Sequence, residues 1–258
     1  MASKRLFGLD LKDRRVLFEL DVDSRQPVSR LARKAGLSKE VAAYRMRKLA
    51  DEGIITKFLT IINGYKLGFV QHKIYLRFQN MTDEKEQEII DFLAGHEMVA
   101  WVASCQGSWD LVAAFLAKNI AEFKGELNGF LNKFSPFILN KSIAINVLAP
   151  HFRRSYLVEK PEMQETVYWG GLPVESRVDD IDLKILRVIA NNARMPAVEV
   201  AKRAGTSARI VEYRVKELIR KKIILGFRVG LDLNKLGLQF FRAMLTFKNI
   251  TQKREKAS

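Results

Sequence analysis

The chain has 258 residues, 48% of them hydrophobic, with a formal net charge of +15; this is enough for two or three small domains with cores of their own, and basic enough to suit a polyanion. No apolar run approaches the roughly 20 residues that span a bilayer, and the opening Met1-Ala2-Ser3-Lys4-Arg5 lacks the apolar stretch of a signal peptide, so a cytoplasmic protein is expected. A single cysteine, Cys105, excludes an internal disulfide framework and a cysteine-based zinc site.

From the N-terminus, Val16, Leu17 and Leu20 follow a helical spacing over residues 10 to 24, with Asp10 and Asp13 placed where acids suit a helix start. Pro27 opens a short second helix whose inner face carries Leu31, Ala32 and Ala35. Gly36 supplies the positive φ that ends it, and Ser38 caps a third helix running from Lys39 to about Glu52. Two small residues four apart, Ala32 and Gly36, let consecutive helices approach across a tight turn, which is the steric signature of a helix-turn-helix. On the third helix Ala42, Met46 and Leu49 form a buried stripe, while Glu40, Tyr44, Arg47 and Lys48 project from the opposite face. The β-branched run Ile54 to Ile61, ended by Asn63-Gly64, adds a wing.

The period then changes. Ile74, Leu76 and Phe78 alternate as a strand, Thr82-Asp83-Glu84 cap a helix closed by Gly95, and Met98 to Cys105 and Ser108 to Ala117 read as two strands joined at Gln106-Gly107. A helix with Ile120, Phe123, Leu127 and Phe130 and a last strand with Leu139, Ile143, Ile145 and Val147 complete a βαββαβ order, the ferredoxin-like sandwich. Trp101 and Trp109 suit its core or an interface. Residues 150 to 177, with Pro150, Pro161, Gly170-Gly171 and Pro173, read as a connector.

The C-terminal segment repeats the N-terminal one. Offset by 169 residues, Asp13 falls on Asp182, Pro27 on Pro196, Gly36 on Gly205, Ser38 on Ser207, Tyr44-Arg45 on Tyr213-Arg214, Phe58 on Phe227, Lys66-Leu67-Gly68 on Lys235-Leu236-Gly237 and Phe78 on Phe247. The expected architecture is therefore α+β: a winged helix-turn-helix over 1–66, a ferredoxin-like βαββαβ sandwich over 67–150, a linker over 151–177, and a second winged helix-turn-helix with an incomplete sandwich start over 178–258. In that last segment Phe240 to Phe247 is expected as a strand with no sheet of its own, so the second copy should depend on the rest of the molecule.

Charge follows the repeat. Residues 1–66 hold 15 basic against 8 acidic side chains, a surplus of +7; residues 178–258 hold 18 against 8, a surplus of +10; the sandwich between them carries −2. Contact with phosphates releases counterions, so the two basic copies suit a nucleic-acid partner and the sandwich another role.

The run Ala32, Gly36, Ser38, Arg45, Leu49, Gly53, Ile54-Ile55, continuing through Lys66-Leu67-Gly68, resembles the Lrp/AsnC (leucine-responsive, feast/famine) transcriptional regulators, over about residues 9 to 148 and again, incompletely, from 178 to about 250. The resemblance implies a sequence-specific, effector-responsive regulator that binds double-stranded DNA and forms a homo-oligomer, at least a dimer, through the sandwich, in the cytoplasm and associated with the nucleoid, with no enzymatic activity and no cofactor or metal. Ser38, Lys39, Tyr44, Arg45, Arg47 and Lys48 become candidate DNA-binding residues in the first copy, and Ser207, Arg209, Tyr213, Arg214 and Lys216 in the second. Arg45 and Arg214 flank the buried stripes, so an ion pair with Asp13 or Asp182 competes with a phosphate contact. The presented faces differ, so the copies should not prefer the same sequence. In such regulators small ligands, amino acids among them, bind near the turn between the second and third sandwich strands, which makes Gly107 and Asp110 effector candidates; a plain hairpin glycine and a satisfied edge aspartate remain the alternative. Two further readings stand beside this one. Sirohaem decarboxylases are similar to the family, but Ala103 to Asp110 holds no histidine. A scaffold without DNA binding is the other.

Overall fold

The computed structural model describes residues 8–159, 166–245 and 248. Its first unit is built from helices α1 (Leu11–Val22), α2 (Val28–Ala35) and α3 (Lys39–Asp51), followed by strand β1 (Ile55–Ile62). Asp10 caps α1 by accepting the Asp13 N–H at 2.8 Å, and the Ser38 hydroxyl caps α3 by accepting from the Val41 N–H at 3.2 Å. Gly36 ends α2 in the left-handed region (φ 68°), which turns the chain sharply enough for Leu31, Ala32 and Ala35 to bury against Val16, Leu17, Leu20, Ala42 and Leu49.

The second unit repeats this with α6 (Asp180–Ile189), α7 (Ala197–Ala204), α8 (Ala208–Arg220) and β8 (Ile224–Leu231). Where Gly53 ends α3 at φ 69°, Lys222 ends α8 at φ 56°, a left-handed conformation that crowds its Cβ. Replacing Lys222 with glycine is expected to raise stability by about 0.5–1 kcal/mol, with relief of strain outweighing the added freedom of the unfolded chain. The thermal midpoint should rise by a few degrees; an unchanged or lower midpoint would contradict this account.

Among the described residues neither wing strand has a hairpin partner of its own. Instead β1 and β8 pair with each other as a two-stranded antiparallel sheet. The register obeys the repeat: Phe58 opposite Val229 becomes, on exchanging the copies, Thr60 opposite Phe227, and Leu59 opposite Arg228 maps onto itself. Even the irregularities correspond, since Ile55 opposite Leu231 maps onto Ile62 opposite Ile224. The copies are thus related by a pseudo-two-fold axis through the Leu59–Arg228 pair. Each strand and the turn after it also reach into the other core: Val229 and Leu236 are buried in the first, while Phe58, Ile62 and Leu67 pack on the second. Each fully buried aliphatic side chain contributes about 1.5–3 kcal/mol, so the halves hold one another together.

Between them lies the sandwich, β2 (Val70–Phe78), α4 (Asp83–Ala94), β3 (Val99–Ser104), β4 (Leu111–Ala117), α5 (Ile120–Phe134) and β5 (Ile138–Asn146), with sheet order β3-β4-β2-β5 and every neighbour antiparallel. This is the split βαβ arrangement, its core formed by Ile74, Leu76, Phe115, Phe123, Phe130 and Phe134 under the two helices. His72 is buried there, stacked on Phe123 at 4.4 Å between ring centres, with neither ring nitrogen hydrogen-bonded. Burial pushes its pKa below the ordinary imidazole value of 6.5 and keeps it neutral. A base with a depressed folded pKa leaves stability intact above the unfolded pKa and costs stability as pH falls below it, by up to about 1.4 kcal/mol per pH unit. His151, lowered by burial and then by Arg228 and Arg153, steepens the same slope. His72→Phe is expected to reduce the difference between urea midpoints at pH 5 and pH 7; an undiminished difference would place the acid sensitivity elsewhere.

The connector is more than a linker. Strands β6 (Leu148–His151) and β7 (Val167–Gly170) pair as a ribbon, Leu157 is fully buried in the first winged-helix core, and the Trp169 indole N–H donates to the Ile62 carbonyl at 2.7 Å. The expected strand at 240–247 is not formed over residues 240–245, and Thr246 and Phe247 lie outside the described residues. The Arg242 guanidinium instead lies over the Trp101 ring of the sandwich at 5.4 Å.

Candidate nucleic-acid interface

Helix α3 turns the Ala42 and Leu49 side of its surface inward, which leaves Lys39, Glu40, Tyr44, Arg47 and Lys48 exposed. Helix α8 buries Val211, Val215 and Leu218 and exposes Arg209, Glu212, Tyr213 and Lys216. Tyr44 and Tyr213 occupy equivalent positions and are 60% and 61% exposed, which leaves both rings open to a partner. Ser38 and Ser207 cap the two helices, the second accepting from the Ile210 N–H at 3.3 Å. Lys48 is only loosely engaged, 3.8 Å from Glu52.

Arg45 and Arg214 face the scaffold. The Arg45 guanidinium donates to Asp10 Oδ2 at 2.7 Å and Asp13 Oδ1 at 2.6 Å; Arg214 pairs with Asp179 at 2.8 Å and Asp182 at 3.4 Å. Burial raises the Asp10 pKa, but the Asp13 N–H and the Arg45 guanidinium outweigh it and hold the carboxyl below the usual range. Asp179 is lowered by the Asp182 N–H and by Arg214. These pairs fasten each third helix to its first and fix the angle at which it is presented. Of the two roles open to Arg45 and Arg214, scaffold ion pair and phosphate contact, the structure shows the ion pairs, each guanidinium engaged by two carboxylates at the start of the first helix.

A second set of contacts, missed from the sequence, locks the two copies together. Arg25 donates to the Ala193 carbonyl and lies 5.6 Å above the Phe227 ring; its repeat partner Arg194 donates to the Ser24 and Gln26 carbonyls at 2.5 and 3.0 Å and lies 5.6 Å above Phe58. The Ser24 N–H donates to Phe227 O, and Ala193, its equivalent, donates to Phe58 O. One member of this interface breaks the symmetry. Asp21, fully buried, accepts from Arg228 through Nε at 3.0 Å and Nη2 at 2.7 Å, and from Arg154 Nη1 at 2.5 Å. The signal was there to read, because Arg25 and Arg194 coincide in the repeat while Asp21 and Arg228 fall on Ala190 and Leu59.

At the sandwich turn, Asp110 is satisfied within the chain. Its Oδ1 accepts from Arg77 at 2.8 Å and its Oδ2 from the Phe78 N–H at 2.7 Å, while the same Arg77 donates to the Gly107 carbonyl at 2.7 Å. Gly107 is exposed and Arg77 half-exposed. Trp109 lies 5.9 Å from Tyr75, and Trp101 is half-buried on β3. Among the described residues no group of histidine, cysteine and acidic side chains is placed to hold a metal ion, and no helix is long and apolar enough to cross a membrane.

Comparison with known proteins matches both copies. Residues 9–56 match the winged helix-turn-helix DNA-binding domain model, and residues 178–219 match the AsnC-type helix-turn-helix domain model. The chain is 32% identical over 119 residues to the proline dehydrogenase transcriptional activator of Rhodobacter capsulatus, covering 45% of this chain and 76% of that protein. It is 34% identical over 117 residues to an HTH-type transcriptional regulator of Pyrococcus horikoshii, covering 44% and 77%. The chain belongs to the Lrp/AsnC family of transcriptional regulators. This family member is a DNA-binding transcription regulator with two helix-turn-helix units and a ferredoxin-like sandwich. Its fold is also similar over a longer stretch to the siroheme decarboxylase NirDL, with a TM-score of 0.56 at 14% identity, covering 85% of this chain and 65% of that one.

Proposed function

We propose that this regulator binds duplex DNA sequence-specifically through the exposed faces of α3 and α8, and that the sandwich adjusts that binding to a small ligand and joins chains into oligomers. The observation that carries the reading is the pair of equivalent recognition helices, each with an exposed tyrosine and basic neighbours, on the two copies that hold the positive surplus. Lys39, Arg47, Lys48, Arg209 and Lys216 contact phosphates or base edges; Ser38 and Ser207, at helix N-termini, suit phosphate oxygens. Each phosphate neutralised adds about −0.9 to the slope of log K against log salt, so a slope steeper than about −4 is expected for fluorescently labelled duplex titrated from low to moderate salt. A flat response, or no retention at low salt, would overturn the reading in favour of a scaffold.

In this reading the effector binds at Gly107 and Asp110. There a ligand carboxylate would compete with Asp110 for the Arg77 guanidinium, the chemistry an amino acid supplies. Calorimetric titration with the common amino acids tests this, and Asp110→Ala should change the affinity of any that bind. Sedimentation of the intact chain tests assembly, for which the exposed Leu139, Ile143, Ile145 and Val147 along β5 supply apolar surface. The likeness in fold to a siroheme decarboxylase is tested by an absorbance spectrum after incubation with sirohaem, which is expected to show no conversion.

A further inference from the structure

We infer that one chain, rather than a pair of chains, reads a complete operator, and that the operator is built of two unlike half-sites related by the axis through Leu59 and Arg228. The inference rests on the proposed DNA binding and specifies what that site recognises.

Two observations carry it. The first is the self-consistent register of β1 on β8, reinforced by the exchanged Arg25–Phe227 and Arg194–Phe58 contacts. Together they place α3 and α8 in two-fold-equivalent positions inside a single polypeptide. A duplex has the same local two-fold symmetry, so two recognition helices so related suit two half-sites spaced by one helical turn, about 10 base pairs, or a multiple of it. An identical pair of subunits would put identical side chains on both.

The second observation is that the two presented faces differ in charge at their leading edge. Under the repeat Glu40 falls on Arg209, Lys39 on Ala208 and Ala43 on Glu212, while Tyr44 recurs as Tyr213 and Arg47 as the similarly charged Lys216. Glu40 and Arg209 both stand exposed in the first turn of their helices, the part of a recognition helix that meets base edges. A carboxylate accepts from the cytosine amino group, whereas a guanidinium donates in bidentate fashion to guanine O6 and N7. The half-sites therefore agree where tyrosine reads and differ where Glu40 and Arg209 read, with cytosine in one and guanine in the other.

Selection of the intact protein on a random duplex pool tests this, followed by selection on Glu40→Arg, an exposed change whose fold is checked by circular dichroism. The expected result is an enriched site of two spaced half-sites that is asymmetric at the equivalent position read by Glu40 and Arg209 and becomes palindromic there for Glu40→Arg. Quantitative titration should give one such site per chain. A wild-type palindrome, a lone half-site, or a preference that Glu40→Arg leaves unchanged would overturn the inference while leaving DNA binding intact. Absence of any salt-sensitive retention of DNA would overturn the proposed DNA binding itself.

Discussion

Asp21→Ala is expected to destabilise the protein by about 3–5 kcal/mol, a large share of the stability of a domain of this size. The carboxylate is fully buried and holds Arg228 in a two-point contact together with Arg154, at the centre of the ladder that joins the two copies. Removing it leaves two partly buried guanidinium groups without a counter-charge, and an uncompensated charge held largely out of water costs far more than the pair contributes. The repeat supplies a sharp control. Its own alternatives at these positions are Ala190 and Leu59, so Asp21→Ala combined with Arg228→Leu makes the interface symmetric with residues the fold already accommodates. The double variant should recover part of the loss, because Arg228 no longer stands without a counter-charge opposite Leu59 and only the partly exposed Arg154 is left without its carboxylate. Urea denaturation of the three proteins checks both statements. A cost below about 1 kcal/mol for the single variant would mean that the arginines find water.

Arg47→Ala should weaken binding to the preferred duplex by about 1–3 kcal/mol, a tenfold loss of affinity for each 1.4 kcal/mol, with a much smaller loss on random DNA. Arg47 projects from α3 opposite the buried Ala42 and Leu49, beside the exposed Tyr44. Arg45→Ala, only two residues away, should behave in the opposite manner. Its guanidinium is spent on Asp10 and Asp13, so the substitution should lower the melting temperature and weaken all DNA alike. Equal weakening of specific and random DNA by Arg47→Ala would make Arg47 a phosphate contact and shift base reading to Glu40 and Tyr44.

Much of this molecule was legible in its sequence because the signals involved are local. The caps Ser38 and Thr82, the acid Asp10 at a helix start, the helix-ending Gly36, the stripe Ala42 and Leu49 with Met46 half-buried beside it, and the strand Ile74, Leu76, Phe78 each act within a few residues and appear where the pattern put them. The order of elements in the sandwich followed from their spacing, and the duplication from a constant offset. The second copy was also expected to lean on the rest of the chain, but through a different contact. The sequence pointed to a strand at 240–247 needing a sheet; the structure joins β8 to β1 instead.

What the chain determined by itself was thus the identity of most elements, though not the β6–β7 ribbon or the absence of a strand over residues 240–245, and the chemistry of the exposed helix faces. Only the tertiary structure decided how strands choose partners. A β-strand's side chains specify which face is buried, but its backbone groups are the same for every candidate neighbour, so β1 reads as the start of a hairpin until β8, some 170 residues away, is brought beside it. The same holds for ionic groups. Arg45 has the look of a DNA contact until Asp10 and Asp13 close on it, and Asp21 has no visible role until Arg228 and Arg154 converge. Charges attract over whatever distance the fold leaves between them, and that distance is written in the packing rather than in the order of residues.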